Sequence, residues 1–97
     1  MTKKQIKQED YHEFLSNLIT KINSMCDEAY AAEVDDISIE DLQKVIKKSK
    51  ETVEEFMIIS NELEGGQLEP VMVEKDGIDY IEELLPKLED KLKKLSK

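Results

Sequence analysis

A chain of 97 residues with a hydrophobic fraction of 39% has enough apolar side chains for one core and too few for two, so a single helical domain over residues 1–97 is expected. Its 23 acids stand against 14 bases, and the formal net charge of -9 opposes contact with DNA, RNA or an anionic membrane. Every base is lysine, so the guanidinium fork that grips phosphate through two hydrogen bonds is absent, a second argument against direct nucleic-acid binding.

Aromatic residues make up 5% and tryptophan is absent, which leaves the interior to Leu, Ile and Val, a composition suited to helices packed on helices. Cys26 is the only cysteine, so no intrachain disulfide can form and a reducing, cytoplasmic setting is expected. Met1 to Lys7 carries charge with no apolar run behind it, and the longest aliphatic or aromatic run is Phe56 to Ile59. Neither export nor membrane insertion is expected from that pattern.

In chain order, Tyr11, Leu15, Leu18, Ile22, Met25 and Ala29 recur at intervals of four and three, with Phe14, Ile19, Cys26 and Tyr30 widening the stripe. This predicts an amphipathic helix from about Lys7 to about Glu33, roughly 40 Å long. Ser38 then offers a hydroxyl to cap a second helix, Asp41 follows as in a variant capping box, and Ile37 with Leu42 forms a hydrophobic staple. The second stripe is Leu42, Ile46, Ser49, Val53, Phe56, Ser60 and Leu63, stopped by Gly65-Gly66.

The stretch from Gly65 to Gly77 reads as irregular: Pro70 blocks a helix, Val71-Met72-Val73 forms a short extended piece, and Asp76-Gly77 signals a turn. Two conformations of residues 71–81 are compatible with this. Either a helix begins near Gly77 and kinks at Pro86, or Val71 to Glu74 pairs with Ile78 to Ile81 as a hairpin, which places Pro86 in a first helical turn. The helix is preferred, because the hairpin opposes Glu74 to Asp79 and an isolated two-stranded hairpin is marginal in water. The last stripe is Ile81, Leu85, Leu88, Leu92 and Leu95. The expected architecture is all-α, an antiparallel three-helix bundle with two long helices, a Gly/Pro loop and a C-terminal helix; homodimerisation through the first helix is the rival arrangement.

No constellation points to catalysis. Glu9 and His12 have the Glu-x-x-His spacing of dimetal bundles, but one copy is not a pair, and only a homodimer would complete it. Cys26 lies about 21 Å along the helix from His12, beyond hydrogen-bond reach, and flanks the apolar seam as a small hydrophobe. Glu74, Asp76, Asp79 and Glu83 surround Gly77, yet an EF-hand frame with Gly77 sixth puts Met72 at the first ligand position. The expectation is therefore a protein that is not an enzyme and carries no cofactor and no metal.

Charge is the feature with content. Asp27, Glu28, Glu33, Asp35, Asp36, Glu40 and Asp41 follow one another without an intervening lysine, and the first three stand toward the negative end of a helix dipole. Glu62 and Glu64 repeat that placement at the end of the second helix, whereas Lys91, Lys93, Lys94 and Lys97 close the third in the favourable sense. In an antiparallel bundle those lysines lie beside the Asp27 to Asp41 end and neutralise part of it. The functional expectation is an inhibitor or adaptor that docks an acidic face on a basic nucleic-acid-binding protein. Small DNA-mimicking inhibitors of phages and mobile elements, anti-CRISPR proteins among them, share its size and acidity, although no motif ties the chain to them. The alternatives are an immunity protein or antitoxin, and a self-associating structural subunit or assembly chaperone that uses Ile58, which points away from the main stripe.

Overall fold

The computed structural model describes residues 7–63 and 65–96. The first stripe forms α1, Gln8–Val34, burying Leu18, Ile22, Met25, Ala29 and Ala32, one interval beyond the predicted end of the seam. Asp35 is extended, and the second helix, α2, runs over Ile39–Glu62. Its start is the predicted one: Ser38 Oγ accepts the Asp41 amide at 3.1 Å, and Ile37 packs into the same apolar cluster as Leu42. At its exit Gly65 adopts φ +62°, in the left-handed region where a side chain would be strained, and leads into a short 3-10 turn, Gly65–Gln67.

The segment that follows departs from expectation. Val71-Met72-Val73 is not extended; residues Leu68–Met72 form a helical turn, α3, and Pro70 is its third residue. A helix leaves its first four amides without intrahelical partners, so a proline there forfeits nothing and favours the helix it was expected to block. Val71 is fully buried, and the amides of Val73 and Glu74 bond back to the carbonyls of Glu69 and Val71. These bonds occupy the backbone that a hairpin over 71–81 requires, and among the described residues no strand occurs.

The last helix, α4, spans Lys75–Leu95, starting two residues before Gly77 and continuing past Pro86, which is exposed. Its buried residues are Ile78, Ile81, Leu84 and Leu88, while Leu85 and Leu92 flank the core and Leu95 is 42% exposed. The predicted stripe chose Leu85 over its neighbour Leu84; the early start of α4 brings Ile78 inward and turns the face toward Leu84 instead.

The helices form an up-down-up bundle 49 × 25 × 19 Å in extent. Cys26 meets Gly77 low on the α1–α4 seam and Ala32 meets Lys91 high on it, so α1 and α4 are parallel, with α2 antiparallel to both. One end of the core gathers Leu18, Ile22, Met25, Phe56, Val71 and Ile78; the other gathers Ala29, Ala32, Leu42, Ile46, Leu84 and Leu88. Ala29 and Ala32 keep the second cluster narrow, so the larger aliphatic chains of α2 and α4 fill it. Among the described residues no helix is long and apolar enough to cross a membrane.

At Gly77 α4 lies close against α1: a Cβ there would lie 2.8 Å from Ile22 Cγ2 and 3.6 Å from Cys26 Sγ. Alanine improves helix propensity by about 1 kcal/mol, but the Ile22 methyl is β-branched and stiff, and overpacking costs about 1–3 kcal/mol. Gly77→Ala is accordingly expected to destabilise the fold by about 1 kcal/mol, seen as a lower urea midpoint with an unchanged slope.

Candidate functional site

At the C-terminus of α1 the final carbonyls point out of the helix and carry its negative dipole, and no basic residue stands in that last turn. The missing cation comes from α4. Lys91 stands three residues after the buried Leu88, which brings its ammonium over the end of α1. Its Nζ donates to the carbonyls of Ala32 at 2.7 Å, Glu33 at 3.1 Å and Asp35 at 2.6 Å. The acids of α1 thus tolerate an unfavourable local dipole because a distant lysine caps it.

Other lysines reach only some of the acidic run. Lys48 lies 3.7 Å from Glu28 and Lys87 lies 4.0 Å from Glu33, both on exposed or half-exposed surface where such pairs contribute little. Asp27, Asp35, Asp36, Glu40 and Asp41 are exposed, and their carboxylates have no ion pair among the described residues. The turn between α1 and α2 brings Asp35, Asp36, Glu40 and Asp41 together at one end of the bundle. Asp27 and Glu28 lie about two turns down α1. Ile58 is 51% exposed beside Met57, about 26 Å along α2 from Asp41, and belongs to a different surface.

The structure also shows a face that the stripe analysis did not single out. Tyr30 on α1 and Tyr80 on α4 are 54% and 37% exposed. Tyr30 served in the sequence only to widen a stripe, and Tyr80 belonged to no stripe; only the register of α4 on α1 shows that they are neighbours. Burial, followed by Glu33, Tyr30, Cys26 and Glu83, pushes the Tyr80 phenol above its ordinary range, in keeping with an acidic neighbourhood. Elsewhere, a cleft of 380 Å³ between α1 and α2 has Met25 and Thr52 in its lining and is bridged by the Lys21–Glu55 and Lys48–Glu28 pairs.

Glu9 and His12 are exposed at the start of α1, where the imidazole meets Tyr11 edge-on at 6.4 Å. Among the described residues no three His, Cys, Asp or Glu side chains group as metal ligands. Around Gly77, Asp79 pairs with Lys75 at 2.9 Å along the helix. Cys26 is half-buried, its thiol donating to the Gly77 carbonyl at 3.4 Å. Burial first, then Asp27 and Glu74, push that thiol up, so its thiolate is disfavoured. Comparison with known protein families, curated proteins and solved structures gives no match.

Two outcomes follow from this geometry. Lys91→Met removes charge-assisted bonds to three carbonyls and is expected to cost about 1–2 kcal/mol in urea unfolding, whereas Lys87→Met should cost under about 0.5 kcal/mol. The Cys26 thiol, its folded pKa raised, holds its proton where the unfolded thiol has released it. Its contribution to stability is complete below the unfolded thiol's pKa and is lost as pH rises from there through the folded value. Iodoacetamide should therefore alkylate native Cys26 more slowly than the urea-unfolded chain across the ordinary thiol range. Equal rates would show that the thiol is unshifted and accessible.

Proposed function

We propose that this is a non-enzymatic protein-binding protein, an inhibitor or adaptor, that docks the acidic end of its bundle on the basic surface of a nucleic-acid-binding protein. The observation that carries this reading is the division of labour among the charges. Lys91 satisfies the end of α1, yet Asp35, Asp36, Glu40 and Asp41 project beside it without a lysine partner among the described residues. An exposed concentration of one sign repels itself and favours an oppositely charged surface. Glu40 and Asp41 stand in the first turn of α2, and Asp35 and Asp36 in the four-residue connection before it, so a short turn between two packed helices presents that charge, and little chain remains to be ordered on association.

The test is affinity capture from a lysate of the native host at low and high salt, with Asp35→Asn/Asp36→Asn/Glu40→Gln as the control bait. The expected result is a basic nucleic-acid-binding protein that is released as salt rises and is weakened about tenfold or more by the amide bait. Recovery of a salt-resistant partner, or of this chain alone, overturns the reading and favours self-association through the exposed Met57 and Ile58.

A further inference from the structure

The seam between α1 and α4 is a ladder with a fixed register. Cys26 and Gly77 form one rung through the thiol-to-carbonyl bond at 3.4 Å. One turn higher on each helix come Tyr30 and Tyr80, and one turn above those come Glu33 and Glu83. Lys87, one turn above Glu83, reaches back to Glu33 at 4.0 Å. The rung in the middle is therefore a pair of exposed phenol rings with carboxylates above them, Asp27 on the side below, and the apolar Val34, 56% exposed, one turn beyond Tyr30.

Resting on the functional reading above, we propose that Tyr30 and Tyr80 anchor the complex by receiving an arginine side chain of a basic partner protein, with Glu33 and Glu83 binding its guanidinium. Charge complementarity selects this occupant. A guanidinium is flat and weakly hydrated, stacks on an aromatic face, and meets a carboxylate with two parallel bonds, whereas an ammonium does only the last, and as a point charge. Nucleic acid would bring phosphates against the same carboxylates. A second copy of this chain would bring net charge of -9 and no arginine. Lys87 reaches this face at 4.0 Å from Glu33, which also shares a pocket with Lys91 and Lys94, so the incoming guanidinium competes with lysines for that carboxylate.

The probe is a short synthetic peptide alternating arginine and alanine, with its lysine counterpart, titrated into isotope-labelled protein at physiological salt. Amide shifts should concentrate at residues 26–34 and 76–87, and the arginine peptide should bind several-fold more tightly than the lysine peptide. Tyr30→Leu/Tyr80→Leu should weaken the arginine peptide about tenfold, while Tyr30→Phe/Tyr80→Phe, which keeps both rings, should stay near wild type. Both positions are exposed, and an unchanged urea midpoint confirms that each variant is folded. Wild-type affinity in the leucine variant overturns the anchor. If Asp35→Asn/Asp36→Asn/Glu40→Gln loses binding while the leucine variant keeps it, the acidic-end reading stands and the tyrosine anchor falls. Absence of saturable binding by the wild-type protein removes both.

Discussion

Ile78, Ile81, Leu84 and Leu88 are almost wholly withdrawn from water, and they can be so only because α4 lies against α1 and α2 at once. Leu84 and Leu88 share a cluster with Ala29 and Ala32 of α1 and with Leu42 and Ile46 of α2; Ile78 and Ile81 share the other with Ile22 and Phe56. Burial of that one face sets the rotation of α4, and the rotation sets everything that its polar residues touch. Gly77 is forced against Ile22, Lys91 is carried over the end of α1, and Tyr80 is brought level with Tyr30. A hydrophobic constraint of several residues thereby decides electrostatic contacts that are individually weak, and the level at which Tyr80 stands.

The arrangement of charge follows from the same packing. In isolation α1 ends badly, with acids near its negative pole and no base in its last turn. The parallel course of α4 supplies Lys91 from more than fifty positions away in sequence, and that ammonium takes three carbonyls at once. The need of the helix end is met through backbone carbonyls, and the carboxylates of Asp35 and Asp36 have no ion pair among the described residues. An acidic run that looks locally unstable is thus compatible with a stable fold, and its outward charge is available for contact with another molecule.

Much of this architecture was legible in the residues. The intervals of four and three located α1 and α2, and Ser38 marked the start of α2 to the residue, because both signals are local and each helix has one wide apolar face. The region from Leu68 to Lys75 is misleading in sequence because Val71 and Val73 have strand propensity and proline commonly breaks helices, whereas the place of Pro70 in a first turn makes it harmless. The register of α4 was ambiguous for a related reason: Leu84 and Leu85 are adjacent, and only the tertiary burial of Ile78 decides between them. The acidic run was visible as composition, and its facing lysines were foreseen as a trend. Neither the three-carbonyl cap by Lys91 nor the Tyr30–Tyr80 pair could be read, since both depend on how α1 and α4 are phased.

That phasing gives the proposed interface two parts with different physical tasks. In that proposal the carboxylates of the α1–α2 turn, which have no ion pair among the described residues, act over distances comparable to the Debye length, about 8 Å at physiological ionic strength, and would govern the rate and orientation of encounter. The tyrosine rung begins about one and a half turns down α1 from Asp35, close enough for one docked surface to engage both. Rings act only on contact, where desolvation strengthens them, and interactions of that kind set how long a complex lasts. A bundle that carried acids alone would attract many basic surfaces and hold none of them for long. In the proposed interface two aromatic side chains beside the acidic end, on helices held in register by the core, would supply the selectivity that charge by itself lacks.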